Sequence, residues 1–173
     1  FVISVRNTVA PDHLIIDSVV ISEVTIAPPA TVSIFDIQFS TATPADSPYE
    51  GQIVNTGGIV THVRSDNKGW YMSSGTGPYS GIYVYSTLNP SPVAVGDSVT
   101  LTAEVVEFNE LTELSFPNNI VVVSSSNFFL ATSVPTGSIL SEAYEGCFIS
   151  TCGLCTAADN GFGDWIINDG SGD

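Results

Sequence analysis

Apolar and polar positions alternate, with β-branched residues at many of the apolar ones, through five stretches of the chain: "HLIIDSVVISEVTI", "GQIVNTGGIVTHV", "GIYVYS", "DSVTLTAEVVEF" and "NNIVVVSSS". Each is bounded by Gly, Pro, Asn or Asp. A period of two bounded by turn residues predicts strands, and the chain reads as all-β. "SILSEAYEG" fits one or two helical turns, and nothing longer reads as a helix. "IAPPATV" and "ATPADSP" read as connectors.

The pattern also repeats. Residues 49–77, "YEGQIVNTGGIVTHVRSDNKGWYMSSGTG", align without a gap with residues 144–172, "YEGCFISTCGLCTAADNGFGDWIINDGSG". Tyr49, Glu50, Gly51, Thr56, Gly58, Thr61, Trp70, Gly75 and Gly77 are identical to their counterparts. Ile53, Val54, Ile59 and Met72 become Phe148, Ile149, Leu154 and Ile167, so apolar positions and turns are kept together.

In the upstream copy the order is a long strand interrupted at Gly57 and Gly58, a second strand "GWYMSS", a glycine turn, "GIYVYS", "VGDSVTLTAEVVEFNELTEL" and a closing "NIVVVSS". Five such strands, the first long enough to bend, predict a small OB-like Greek-key barrel. The segments "SPYEGQIVNTGGIVTHV", "GWYMSSGTGPYSGIYVYS" and "VAVGDSVTLTAEVVEFNELTEL" resemble the OB-like module of large secreted bacterial proteins, in which it precedes the catalytic domain of extracellular nucleases. The resemblance implies secretion and an accessory role, and it carries no catalytic residue onto this chain. The expected organisation is a β segment at 1–32, the tail of a preceding repeat; a complete repeat at 33–135; and a connector with the first half of a second repeat at 136–173.

"PDHLIIDS" at 11–18 resembles "PNNIVVVS" at 117–124, so the chain reads as beginning with a tail and ending with a head. Two explanations stand. The sequence is a window on a longer array, consistent with a start at Phe1 instead of Met, or the open head of one subunit accepts the tail of the next. In both, the expected partners are further copies of the chain or neighbouring repeats.

Composition narrows the function classes. Eighteen acidic residues against three basic ones give a net charge of -15, although only 12% of residues are charged. Arg6, Arg64 and Lys68 are too few to neutralise a phosphate backbone, so nucleic acid is not an expected partner. No apolar run is long enough for a membrane span. The polar surface falls to 22 serines and 16 threonines, and the sole N-x-[ST] triplet, Asn89-Pro90-Ser91, has the forbidden proline, so any glycan would be O-linked.

Cys147, Cys152 and Cys155 lie in the second copy only, where the first has Gln52, Gly57 and Val60. The fold therefore does not require them, and a zinc site would lack its fourth ligand. A disulfide is expected instead, with Cys147 and Cys155 as the internal pair and Cys152 free or bonded elsewhere, in an oxidising, extracellular setting. Asp159, Asp164, Asp169 and Asp173 sit among glycines and form a candidate calcium loop, with ordinary acidic turns as the competing reading. Trp70, Tyr71, Tyr83 and Tyr85 are a candidate ligand face, set against barrel packing. No catalytic triad or phosphate loop stands out, and Glu104, Glu107, Glu110 and Glu113 read as a solvated strand and its turn. The expected function is a non-enzymatic structural module without a cofactor; the alternative is an accessory nucleic-acid- or glycan-binding domain of a larger secreted enzyme.

Overall fold

The computed structural model describes residues 2–5, 19–22, 27–157, 159 and 161–172. It is built from strands, β1 (Val2–Val5), β2 (Val19–Ser22), β3 (Ala30–Thr31), β4 (Ile53–Val63), β5 (Gly69–Ser73), β6 (Gly81–Tyr85), β7 (Ser98–Phe108), β8 (Leu111–Ser124), β9 (Thr132–Ser133), β10 (Ile149–Ser150), β11 (Leu154–Ala157) and β12 (Ile166–Asn168). Among the described residues the other elements are one short helix, α1 (Ile34–Gln38), and two 3-10 turns, Thr136–Ser138 and Glu142–Tyr144. The all-β expectation holds, and the second turn, Glu142–Tyr144, falls within "SILSEAYEG", where helical geometry was expected. The aligned segment at 11–18 lies outside the described residues.

The main sheet has the strand order β3-β4-β5-β6-β8-β7, and β7 also pairs with β4. β4 changes neighbours along its length. Ile53 to Ile59 pair antiparallel with β7, from Ile53↔Glu104 to Ile59↔Ser98, while Ile59 to Val63 pair with β5. The change falls beside Gly57 and Gly58. Neither needs a left-handed backbone; both are required by close approach. A Cβ on Gly57 would lie 2.5 Å from the Val99 carbonyl oxygen, and one on Gly58 would lie 2.8 Å from that of Ser73.

Alternation within the strands generates the core. β7 turns Val99, Leu101, Ala103 and Val105 inward, β6 supplies Ile82 and Val84, and β5 supplies Trp70 and Met72. Leu114 of β8 and Val54 and Val60 of β4 join them. α1 seals one end of this core. Its Ser33 cap accepts from the Asp36 amide at 3.1 Å, and the turn buries Ile34 and Ile37 fully. Gln38, at its last position, donates to the Gly81 carbonyl at 2.7 Å.

The second copy reproduces the first in register. The pairs Ile59↔Ser73, Val60↔Met72 and His62↔Tyr71, with a bulge after Val60, recur as Leu154↔Asn168, Cys155↔Ile167 and Ala157↔Ile166, with a bulge after Cys155. The parallel approach of β3 to β4, Ala30↔Val54 and Thr31↔Asn55, recurs as Thr132↔Ile149 and Ser133↔Ser150 between β9 and β10. Each copy thus has a leading strand just ahead of the boundaries expected at 33 and 136. A Cβ on Gly153 would meet Asn168 backbone atoms at 2.7 to 2.8 Å, as Gly58 meets Ser73.

Candidate functional site

Of the four residues of the expected ligand face, Trp70 and Tyr83 are buried and Tyr71 and Tyr85 are half-buried. Trp70 is 1% exposed, and its indole N–H has no hydrogen-bond partner. Tyr71 and Tyr83 stack obliquely with centroids 4.9 Å apart, and the His62 ring lies 6.3 Å from that of Tyr71. The Tyr83 hydroxyl donates to the Lys68 carbonyl, and burial pushes its pKa up. Arg64 sits 5.7 Å from the Tyr83 centroid, but its guanidinium is taken by Asp66, at 2.5 Å and 3.0 Å. That pairing holds the Asp66 carboxyl down at about 2. Tyr85 lines a different hollow with Leu88, Phe116 and Pro117.

The acidic residues of the closing loop act as turn acceptors. Asp159 accepts from the amides of Gly161 and Gly163, both at 2.8 Å. Asp169 accepts from the Ser171 hydroxyl and amide and from the Thr136 hydroxyl at 2.8 Å; these bonds hold its carboxyl well below the usual carboxylate range. Asp164 belongs to the same loop, and Asp173 lies outside the described residues. Among the described residues no group of three His, Cys, Asp or Glu side chains is placed to hold a metal ion.

All three cysteines are free thiols, so the expected Cys147–Cys155 bridge is absent from this structure. The reason is a break in the strand. β10 ends at Ser150 and β11 starts at Leu154, whereas Cys147 precedes both and packs on the first copy, 3.6 Å from the Ser80 hydroxyl. Cys155 turns its sulfur to the Ala157 carbonyl at 3.1 Å, and Cys152 is exposed.

Of the regularly spaced glutamates, Glu107 accepts from the Ser47 amide at 2.8 Å and the Thr112 hydroxyl at 2.6 Å, and Glu113 accepts from Ser115 at 2.7 Å. Glu145, the repeat counterpart of Glu50, accepts from the Thr112 amide at 3.0 Å and ties the second copy to the β7–β8 turn. Burial pushes its carboxyl up to about 7.

The largest difference between the copies is what they cover. Trp165, the counterpart of Trp70, is 64% exposed. Leu154 is 80% exposed, and Cys155 is exposed where Val60 is fully buried. In the first copy these positions are closed over by β6, β7 and β8. Among the described residues, β10 pairs only with β9 and β11 only with β12. The hollow beside Gly57–Ile59 and Ser73–Gly75 recurs, at about 680 Å³, beside Cys152–Leu154 and Asn168–Gly170.

The second copy is nevertheless seated on the first. Gly146 and Cys147 lie so close to Gly81 that a Cβ there would be 2.3 Å from the Gly146 carbonyl oxygen. Tyr79 donates its amide to the Ala143 carbonyl at 2.6 Å, and Gly77 donates to the Thr132 hydroxyl at 2.8 Å.

Comparison with known proteins returned no match, either to a protein-family model or to a curated sequence.

Proposed function

We propose that the chain is a non-enzymatic structural module made of tandem OB-like β-barrels, a building block of an extracellular fibre, filament or adhesive surface. On this reading the circuit of pairings β4-β5-β6-β8-β7 and back to β4 is the barrel of the complete repeat, with β6 and β8 running parallel. The observation that carries the proposal is the pair Trp70 and Trp165. The same position is core in one copy and two-thirds open in the other, and an exposed apolar face of that kind marks an association site. The acidic, hydroxyl-rich surface suits a secreted structural protein, which keeps itself soluble by net charge. Electron microscopy and light scattering of the purified chain over a range of concentrations test it: concentration-dependent polymers are expected, and dispersed monomers throughout refute it.

The second reading, an accessory nucleic-acid- or glycan-binding domain of a larger secreted enzyme, is favoured by the Tyr71–Tyr83 pair with His62 and Arg64 beside it. The Arg64–Asp66 ion pair and the net charge of -15 oppose its nucleic-acid form. No DNA binding is expected at moderate salt, since each phosphate contact needs a cation. A salt-sensitive micromolar complex that Arg64→Ala abolishes would install this reading in place of the first.

A further inference from the structure

We infer that the open second copy is covered by the β1–β2 hairpin of another copy of this chain, so that subunits join head to tail. The inference rests on the structural reading above and names the segment that makes the joint.

The first copy shows what closes such a head: the far end of the β7–β8 hairpin, where Ser98 pairs with Ser124 and the following β7 residues lie along β4 from Ile59 back to Ile53. The chain carries one surplus hairpin of the same kind. β1 and β2 pair antiparallel from Val2↔Ser22 to Val5↔Val19 and, among the described residues, pair with no other strand. Their place in the repeat is fixed by spacing. β2 ends at Ser22 and β3 begins at Ala30; β8 ends at Ser124 and β9 begins at Thr132, the same interval. The sequences agree, "VVIS" at 19–22 against "VVVS" at 121–124. The Val2↔Ser22 pair then corresponds to Ser98↔Ser124. This hairpin therefore stands to the first copy as the end of β7–β8 stands to the second. Among the described residues the hairpin lies along no strand as β7 lies along β4, and no such hairpin lies along the strands at 149–168.

The correspondence predicts a register. Ile59↔Ser98 and Gly57↔Thr100 translate to Leu154 opposite Val2 and Cys152 opposite Ser4 of the neighbouring copy. Cys152 replaces a glycine whose Cβ would lie 2.5 Å from the facing carbonyl, so the incoming strand must stand off from Cys152 further than β7 does from Gly57. A tail of one subunit on the head of the next makes a heterologous contact, which propagates instead of closing on a two-fold axis.

Two variants of the full chain test the assignment. Ser4→Cys, oxidised mildly and mapped by mass spectrometry, is expected to give a ladder of covalent oligomers linked from residue 4 to Cys152, and the ladder should vanish with Cys152→Ser. Ser4→Pro, which removes one strand N–H, is expected to abolish polymers at all concentrations, whereas the unaltered chain forms them as concentration rises. Polymers that form without 4–152 links and survive Ser4→Pro would overturn the assignment and leave the structural reading standing. A 4–152 link found only within monomers would overturn it too, because the hairpin would then be closing its own chain. Unaltered protein that stays monomeric at all concentrations would defeat both.

Discussion

Replacing Gly58 by alanine tests whether β4 owes its change of neighbours to close backbone contact. The added Cβ would lie 2.8 Å from the Ser73 carbonyl oxygen, 3.0 Å from its carbon and 3.1 Å from Ile34 Cδ1. Ile34 has rotamers to try, but the Ser73 carbonyl is held in the strand ladder beside Ile59. Relief requires β4 and β5 to move apart at the point where β4 also begins to pair with β7. Overpacking of this kind costs about 1–3 kcal/mol. Stiffening of the unfolded chain by Gly→Ala returns about 0.4–1 kcal/mol. The net loss is about 1–2 kcal/mol, or roughly 5–15 °C in Tm for a unit of this size. Thermal melts followed by circular dichroism measure it. The matched control is Gly153→Ala, which meets equally close backbone atoms of Asn168 but lies in a hairpin paired only with itself. There the main melting step should stay in place while amides of β11 and β12 exchange faster. A Gly58→Ala chain that melts at or above the unaltered one would refute the close-contact account of β4.

Two further substitutions probe buried polar groups. Glu145 has its carboxyl pushed up to about 7 by burial, against a usual value near 4.5, so the unfolded chain ionises first and stability falls as pH rises through that window. Glu145→Gln keeps an acceptor for the Thr112 amide and should flatten the fall, by about 1 kcal/mol at pH 8 once solvent screening of this half-buried group is allowed for; denaturant titrations at pH 4.5 and pH 8 compare the two, and equal pH dependence would remove Glu145 as the cause. The Thr56 hydroxyl is buried without a hydrogen-bond partner, so Thr56→Val should raise stability by about 1 kcal/mol in the same titrations, and a loss would mean the hydroxyl is satisfied in solution.

Much of this arrangement was legible in the residues. Alternation placed Val99, Leu101, Ala103 and Val105 on one face of β7, and the two copies of "YEG…G" anticipated a hairpin that proves identical in register and bulge. α1 was not legible. Isoleucine and phenylalanine are indifferent helix formers, and "SIFDIQ" turns helical because Ser33 caps it and the core takes Ile34 and Ile37. The pairing of 11–18 with 117–124 rests on aliphatic runs alone, whereas the interval that sets 19–22 beside 121–124 needs the ends of strands, which only the structure supplies. The cysteine pairing failed for a similar reason. It needs the strand to fold back and bring residue 147 to residue 155, whereas Cys147 lies ahead of β10 and packs on the first copy. The repeat gives Glu145 no chemical role; its carboxyl is pushed up by burial, which only the fold creates, and the bond from the Thr112 amide 33 residues back along the chain opposes that shift.

The contact between Gly81 and Gly146 brings the two copies together backbone against backbone. Together with the bonds from Tyr79, Gly77 and Thr112, it fixes the direction in which the second copy faces relative to the first. In any head-to-tail series every subunit would then add the same rise and the same rotation, so the product would be a helix of set pitch. Its stiffness would come from a backbone contact inside each subunit as much as from the joint between them.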